Sequence, residues 1–259
     1  MLRYAHRLTN ITLVTADNFN YDYLQINPNG TVPSLTSPSL SKPLTESFDI
    51  LRYLDGLKGN STLVPSDPAV QARVKAILEV VHSNDVTTNL ILLQARDHEE
   101  LKSKTTGLWG TFVANRQAKL EKGKVEHPEH AFYTRKADEN GALHKLYTTA
   151  GDAEQHKFFA VTDEMYRTFA AGMAKLESLL VLPYAAGDVV TEADWHLVPW
   201  LSHAMAGAGT EPSAIQDFAP LEALIGKSVP GFVVGPRTKK WWAAISATKA
   251  FKTVFPTLH

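Results

Sequence analysis

The sequence predicts an α+β protein in which a small mixed unit is followed by a long helical unit. A short β-branched segment and a turn occur near the start, one amphipathic helix follows them, and helical periodicity then dominates the rest of the chain. Because strands and helices do not alternate regularly, the pattern favours two segregated domains over a parallel sheet with crossover helices.

The first unit contains two predicted strands and one predicted helix. Residues 11–15 (ITLVT) are apolar and β-branched, which predicts a strand. The sequence NPNG at residues 27–30 predicts a turn, and residues 31–36 after it predict a second short strand. A helix is expected over about residues 44–57, where apolar residues recur at three-residue steps before a glycine.

The second unit begins after a polar, proline-containing linker. Asp67 suits a helix N-cap and Pro68 suits the first helical position. Later helices are predicted after Thr162, from Thr191 and from Pro236. Periodicity weakens at about residues 102–157, where the polar runs 119–124 and 136–141 indicate loops, so this segment is interpreted as an insertion with short helices.

These boundaries predict three parts of the chain. Residues 1–57 form the small domain, residues 58–68 the linker, and residues 69–259 an all-helical domain that contains the insertion.

Composition excludes several classes of protein. The 259 residues include 26 basic and 27 acidic side chains, giving a net charge of −1, which argues against nucleic-acid or anionic-lipid partners. No apolar run approaches the ~20 residues of a membrane span, and the first seven residues lack the apolar core of a signal peptide. We therefore expect a soluble, cytoplasmic protein with no membrane partner.

Cysteine is absent from the whole chain. The protein consequently has no disulfide, no thiolate metal site and no cysteine nucleophile. Any sulfur chemistry must use a thiol that a ligand brings in.

The first motif of chemical interest is the sequence NPNGTVPSL at residues 27–35. A cis peptide bond before Pro33 would leave the N–H and C=O of Val32 without a ladder partner. Those groups could then pair with an extended peptide ligand as a strand does. The alternative is an ordinary turn with a trans proline.

The second motif, LTESFDI at residues 44–50, enters the predicted helix. A helix N-terminus presents unpaired N–H groups and a positive dipole end, and the Ser47 hydroxyl adds a donor for a ligand carboxylate. Glu46 supplies an anion for an ammonium group, so one short segment could hold both charges of an α-amino acid. The alternative is a simple cap by Thr45 or Ser47.

A third motif lies far along the chain. Thr191 is expected to cap a helix while Asp194, three residues on, returns a hydrogen bond to the cap; Val190 could pack against Trp195 as a hydrophobic staple. Pro199 lies inside this predicted helix and is expected to kink it. The motif is interpreted as structural.

Together these motifs resemble the glutathione transferase superfamily. The turn NPxGxVPxL followed by LxESxxIxxYL at residues 44–54 resembles its thioredoxin-like domain, and the capping box and residues 236–242 resemble its helical domain. The resemblance implies that Val32, before a cis Pro33, pairs with the cysteinyl unit of glutathione. It further implies that Glu46 and Ser47 bind the γ-glutamyl end.

The resemblance covers residues of about 10–100 and 160–250 in outline and departs from the family at the start. Only ten residues precede Ile11, too few for the family's first strand, its catalytic turn and a full helix. A thiol with a pKa of roughly 8.5 is mostly protonated at pH 7 unless a donor or a positive charge stabilises the thiolate. Tyr4, His6 and Arg7 are the nearby upstream candidates, and the activating group stays unassigned.

The resemblance implies an enzyme that uses the glutathione thiol on a small hydrophobic electrophile. The length of the segment at residues 102–157 is similar to fungal members, so a role in fungal secondary metabolism is expected, with a homodimer as the assembly. Double-bond trans–cis isomerisation by the same thiol is one alternative. A binding or regulatory protein without catalysis, on a transferase scaffold, is another.

Three remaining groups of residues are considered as candidates for function. Four histidines lie in or near the polar segment: His127, His130, His144 and His156. Zinc needs three or four ligands on rigid elements, and this segment is interpreted as rich in loops, so no metal site is predicted there. The lysines at 119, 122 and 124 are interpreted as a solvated face. Seven apolar side chains could line a substrate cleft or belong to the core: Phe112, Phe132, Tyr133, Phe158, Phe159, Met165 and Phe169.

Overall fold

The structure is a computed structural model that describes residues 7–57, 63–255, 257 and 258. Tyr4 and His6, two of the upstream candidates, lie outside the described residues. Within the described part of the chain, no helix is both long and apolar enough to cross a membrane.

Regular structure in the described residues is almost entirely helical. The helices are α1 (Tyr21–Leu24), α2 (Ser47–Gly56), α3 (Pro68–Val81), α4 (Asn89–Leu93), α5 (His98–Thr106), α6 (Leu108–Glu126), α7 (Ala131–Thr148), α8 (Asp152–Leu179), α9 (Glu192–Gly207), α10 (Ala219–Gly226), α11 (Pro236–Ser246) and α12 (Lys249–Val254). Two short 3₁₀ helices, Asp17–Phe19 and Asn84–Val86, accompany them. Strand pairing in these residues is limited to isolated bridges, one of which joins Leu35 to Leu44.

The strand predicted at residues 11–15 is wrong, because this segment is a turn. The backbone N–H of Ala16 donates to the carbonyl of Leu13, and Ala16 itself has a φ of 56°. Asp17 closes the turn, since its carboxylate accepts hydrogen bonds from the Thr15 hydroxyl and the Thr12 N–H, and these bonds lower the pKa of Asp17. A side-chain acceptor two residues after a β-branched run thus overrides its strand propensity.

Internal contacts divide the chain into two compact units. The helical unit comprises described residues 63–94 and those from 160 onward, and the amino-terminal unit comprises residues 7–57 and 95–159. Compact units defined by contacts need not coincide with domains that fold alone, so the boundaries proposed from the sequence remain predictions.

The helical unit is built around a large apolar core from α3, α8, α9 and α11, in which Trp241 and Trp242 are almost completely buried. Its first helix begins as predicted. Asp67 is the N-cap of α3, its carboxylate accepts from the N–H groups of Ala69 and Val70 at 2.7 and 3.2 Å, and Pro68 is the first helical residue.

The capping box predicted at the start of α9 is confirmed. Asp194 is fully buried, and its Oδ2 accepts from the Thr191 N–H at 2.8 Å and from the Thr191 hydroxyl at 3.2 Å. Its Oδ1 accepts two further hydrogen bonds at 2.8 Å, from the Ala185 N–H and the Trp241 indole N–H. The carboxylate therefore joins α9 to the preceding loop and to α11, a role that the sequence motif alone does not show.

The loops predicted at residues 119–124 and 136–141 are wrong, because both runs lie inside long helices, α6 and α7. Their lysines and glutamates form exposed ion pairs such as Lys122–Glu126 and Lys136–Glu139. Few apolar residues form the seam between these helices, so their periodicity is weak in the sequence. At Gly123 the absence of a side chain is required, because a Cβ atom would collide with the ring of Tyr133.

Helices α6 and α7 share a core with the first part of the chain. The cluster contains Ala16, Phe19, Leu24, Leu120, Phe132, Tyr133 and Ala137. Polar contacts join the same pieces: the Tyr133 hydroxyl donates to the Phe19 carbonyl at 2.9 Å, and the Asn115 amide donates to the Val14 carbonyl at 2.9 Å. These helices thus support the segment that carries the first sequence motif.

Candidate functional site

The NPNG turn is organised by the buried side chain of Asn27. Its amide nitrogen donates to the Thr31 carbonyl at 2.7 Å and to the Ser34 hydroxyl at 3.1 Å, while its Oδ1 accepts from the Asn29 N–H at 3.0 Å. Asn27 is fully buried, whereas the hydrogen bonds that it makes are part-buried. A single side chain thereby holds the backbone before Val32 and contacts the Ser34 side chain after it.

Two residues that the sequence analysis did not single out complete this turn. The Tyr23 hydroxyl donates to the Thr31 carbonyl at 2.5 Å and lies 2.9 Å from the Ser34 hydroxyl. The amide of Asn18, itself buried, donates to the Gly30 carbonyl at 2.6 Å. Such side chains are rarely predictable from one sequence, because their partners lie about eight to twelve positions away along the chain.

The Val32–Pro33 peptide bond is cis, as the family resemblance implies, so the trans alternative that the first motif left open is wrong. The residue Val32 is 39% exposed. Neither its N–H nor its C=O has a hydrogen-bond partner among residues 7–57 and the other described residues. A free donor and a free acceptor on one exposed residue are what strand-like pairing with a peptide ligand requires.

One antiparallel bridge connects Val32 to the second motif. The Leu35 N–H donates to the Leu44 carbonyl at 2.8 Å, and the Leu44 N–H donates to the Leu35 carbonyl at 2.9 Å. In an antiparallel pair, residues before one partner face residues after the other. Val32, three residues before Leu35, and Ser47, three residues after Leu44, therefore leave the bridge at the same end.

Helix α2 begins at this end of the bridge. Glu46 is the N-cap, its carbonyl accepts from the Ile50 N–H at 3.0 Å, and its side chain makes no capping hydrogen bond. Ser47 is the first helical residue, and both side chains are exposed. The N-cap position is therefore Glu46, and neither Thr45 nor Ser47 occupies it. The exposed Glu46 carboxylate lies at the positive end of a ten-residue helix.

Other candidate residues from the sequence do not join this arrangement. Arg7 is exposed. His127 stacks on Tyr21 with ring centroids 4.0 Å apart, and His156 lies near His98 in a different cluster. No three histidine or acidic side chains come together as a metal site within the residues described.

The apolar residues that could have lined a cleft are mostly core. Phe132 and Tyr133 are buried in the cluster of the amino-terminal unit, Phe158 and Phe159 in a second cluster of that unit, and Phe169 in the helical core. These five side chains are therefore core residues of their own units.

Comparison with known proteins supports the fold that the motifs indicate. Residues 1–57 match the family model for the glutathione S-transferase N-terminal domain. A search of curated protein sequences found no significant match.

Solved structures with a similar fold cover nearly the whole chain. Gtt2 from Saccharomyces cerevisiae has a TM-score of 0.53 at 16% identity, over 95% of this chain and 86% of its own. The β-etherase LigF from Sphingobium sp. strain SYK-6 has a TM-score of 0.54 at 19% identity, over 95% and 86%. Maleylacetoacetate isomerase from Methylobacterium extorquens AM1, solved with bound malonate and glutathione, has a TM-score of 0.50 at 19% identity, over 96% and 83%.

The match and the structural likenesses support the fold of the glutathione transferases, with a thioredoxin-like N-terminal domain and a helical C-terminal domain. The predicted α+β class is only partly visible, because the described amino-terminal residues contain one isolated bridge where strands were expected.

Proposed function

We propose that the protein binds glutathione at Val32, Pro33, Glu46 and Ser47 and uses its thiol on a small hydrophobic electrophile. The observation that carries this proposal is the exposed residue Val32, before a cis proline, whose backbone groups have no hydrogen-bond partner among the described residues. The bridge between Leu35 and Leu44 directs this residue and the N-terminus of α2 to the same end.

The two charged groups at the γ-glutamyl end of glutathione then each have a complementary partner in the site. The α-carboxylate is bound by the Ser47 hydroxyl and the dipole of α2, which favours an anion at its N-terminus. The α-ammonium pairs with the carboxylate of Glu46. The cysteinyl unit pairs with Val32 through two backbone hydrogen bonds, which orient the thiol without contacting it.

The reaction depends on the chemistry of the bound thiol. Its thiolate attacks an electrophilic carbon, and the products differ only in the fate of the resulting adduct. Loss of a leaving group gives a conjugate, whereas reversible addition to a conjugated alkene, rotation and elimination give an isomer. The finer placement, as a fungal-type homodimeric member acting in secondary metabolism, rests on the sequence resemblance and belongs to the same proposal.

Isothermal titration calorimetry with reduced glutathione tests the site. Micromolar to low-millimolar binding is expected for the unmodified protein, with at least tenfold weaker binding for the Glu46→Ala, Ser47→Ala double variant, since each lost charge-assisted bond costs about 1.5–3 kcal/mol. Glu46→Gln keeps the side-chain shape and removes the charge, so it isolates the ammonium contact. Absence of binding by the unmodified protein at millimolar glutathione would overturn the proposal.

Mass spectrometry distinguishes the reaction types once binding is established. Incubation with glutathione and an activated aryl chloride gives an adduct if the protein catalyses conjugation. Incubation with a conjugated cis alkene gives an isomer of unchanged mass that chromatography separates. If glutathione binds and neither product forms faster than without protein, the chain is a binding protein on a transferase scaffold.

A further inference from the structure

Arg116, on α6, holds an unusual position in the amino-terminal unit. Its guanidinium carbon lies 4.2 Å from the centre of the Phe19 ring and 4.8 Å from the centre of the Phe112 ring. The side chain is partly buried, and this burial lowers the pKa of Arg116 to about 10. The group is therefore still fully charged at neutral pH.

This charge has no anionic partner in the described structure. No carboxylate pairs with the Arg116 side chain, and no acceptor hydrogen-bonds to it, among the residues that the structure describes. The stretches left undescribed, residues 1–6 and 58–62 with residues 256 and 259, contain neither aspartate nor glutamate in the sequence. Two other arginines of this unit differ, since Arg96 pairs with Glu100 at 2.6 Å and Arg135 with Glu139 at 3.1 Å.

Stacking leaves the edge of a guanidinium available. The Phe19 and Phe112 rings lie against the central carbon of the Arg116 guanidinium, whereas its N–H donors lie in the plane of the group and point outward from that carbon. Two parallel N–H groups match the two oxygens of one carboxylate, and the aromatic contacts remove water that would otherwise screen the pair. The arrangement suits a single carboxylate better than a phosphate dianion, which needs further donors.

Arg116 is connected to the candidate site through few residues. Phe19, against which it stacks, follows Asn18, and the Asn18 amide donates to the Gly30 carbonyl two residues before Val32. A Cβ on Gly30 would lie 2.7 Å from Cζ of Phe132, whose ring packs 5.3 Å from that of Phe19. The stack under Arg116 is thus part of the packing that holds the Val32 turn.

Glutathione carries a second carboxylate, on its glycyl unit, and none of the four site residues is a cation that could bind it. Its γ-glutamyl charges are matched by Ser47, the α2 dipole and Glu46, whereas its glycyl carboxylate has no partner there. We propose that Arg116 is a carboxylate-binding residue that receives either the glycyl carboxylate of glutathione or a carboxylate of the second substrate. The first source rests on the proposed function, and the second does not.

A purely structural role makes a different prediction. If Arg116 only fastens α6 to Phe19, its replacement lowers the melting temperature and leaves every binding constant unchanged. Arg116→Met keeps an apolar stem against the two rings and removes the charge and donors. Arg135→Met is the matched control, because Arg135 lies 5.9 Å from the Phe132 ring and already has Glu139 as its partner.

Calorimetry with glutathione, with γ-glutamylcysteine and with succinate separates the two sources. We expect Arg116→Met to weaken glutathione binding about tenfold and to leave γ-glutamylcysteine, which lacks the glycine, unchanged; this identifies the glycyl carboxylate. Loss of succinate binding with both peptides unaffected identifies a substrate carboxylate. Arg135→Met should change none of the three.

Each remaining outcome decides the proposal. Unchanged affinity of Arg116→Met for both glutathione and succinate overturns it. Succinate binding that depends on Arg116, in a protein that does not bind glutathione, supports the carboxylate site while the proposed function fails. If Arg116→Met does not fold, Arg116→Lys is the second variant, because it keeps the positive charge and removes the two parallel N–H donors. It should lose most of the affinity for glutathione or succinate. Full retention of that affinity overturns the bidentate site.

Discussion

Two acidic residues at helix N-termini show how differently the same local feature is used. Asp194, in the first turn of α9, is fully buried, and its two oxygens accept four hydrogen bonds from the protein. Glu46, at the N-cap of α2, is exposed, and its side chain does not cap the helix. A carboxylate whose acceptor capacity is used by the protein stabilises the fold, whereas one left open to solvent is available to a ligand.

The same contrast separates two stretches of backbone. The Asn27 side chain forms hydrogen bonds with polar groups of its turn, including the Thr31 carbonyl. Val32, which directly follows Thr31, keeps its N–H and C=O unpaired among the described residues. Buried backbone groups almost always find partners, so unpaired ones persist where solvent or a ligand can reach them. The amino-terminal unit thus fixes the neighbours of Val32 and leaves Val32 itself available.

The largest effect is expected from Asp194→Ala, which tests the structural side of the comparison. The substitution leaves the Ala185 N–H and the Trp241 indole N–H buried without acceptors and removes the cap of α9. The free energy of unfolding should therefore fall by about 3–5 kcal/mol. Urea unfolding followed by tryptophan fluorescence measures this loss. Asp194→Asn, which keeps a side-chain oxygen, should lose less; a loss below about 1 kcal/mol for the alanine variant contradicts the structural role.

A smaller effect is expected from Asn27→Ala in the turn before Val32. The change removes four side-chain hydrogen bonds and should cost about 1–3 kcal/mol, together with weaker glutathione binding because Val32 loses its fixed position. Hydrogen exchange of residues 27–35 and calorimetry measure the two consequences. Asn29→Ala is the control, since Asn29 is exposed in the same turn; equal effects from both variants would show that Asn27 has no special role.

The smallest effect on stability is expected from the Glu46→Ala, Ser47→Ala variant. Both side chains are exposed and neither caps α2, so the free energy of unfolding should change by less than about 0.5 kcal/mol. The measurement is urea unfolding at pH 7. A loss above about 1 kcal/mol would mean that these residues stabilise the helix, and the comparison with Asp194 would then fail.

Features encoded by adjacent residues were predictable from the sequence. Asp67 with Pro68, Thr191 with Asp194, and the cis bond before Pro33 each depend on a short pattern whose partners lie within a few positions. The family resemblance at residues 27–54 likewise supplied the expected ligand and the site residues, which stay predictions.

Features that depend on distant partners were not predictable. Residues 11–15 were missed for a different reason: the Asp17 carboxylate that closes them into a turn lies nearby in the sequence, but their strand-like composition was given more weight. Helices α6 and α7 carry polar runs, and only their contacts with Phe19, Leu24 and each other show which face is buried. The roles of Tyr23 and Asn18 and the stacked charge of Arg116 depend on contacts across at least eight positions of the chain.

The availability of Val32 for a peptide ligand can be observed in a crystal structure of the protein with bound glutathione. We predict that the Val32 N–H and C=O both pair with the cysteinyl unit at about 2.9 Å, with the γ-glutamyl carboxylate at Ser47. Glutathione bound elsewhere on the chain, or Val32 backbone groups paired with protein atoms while glutathione occupies the site, would contradict this role of Val32.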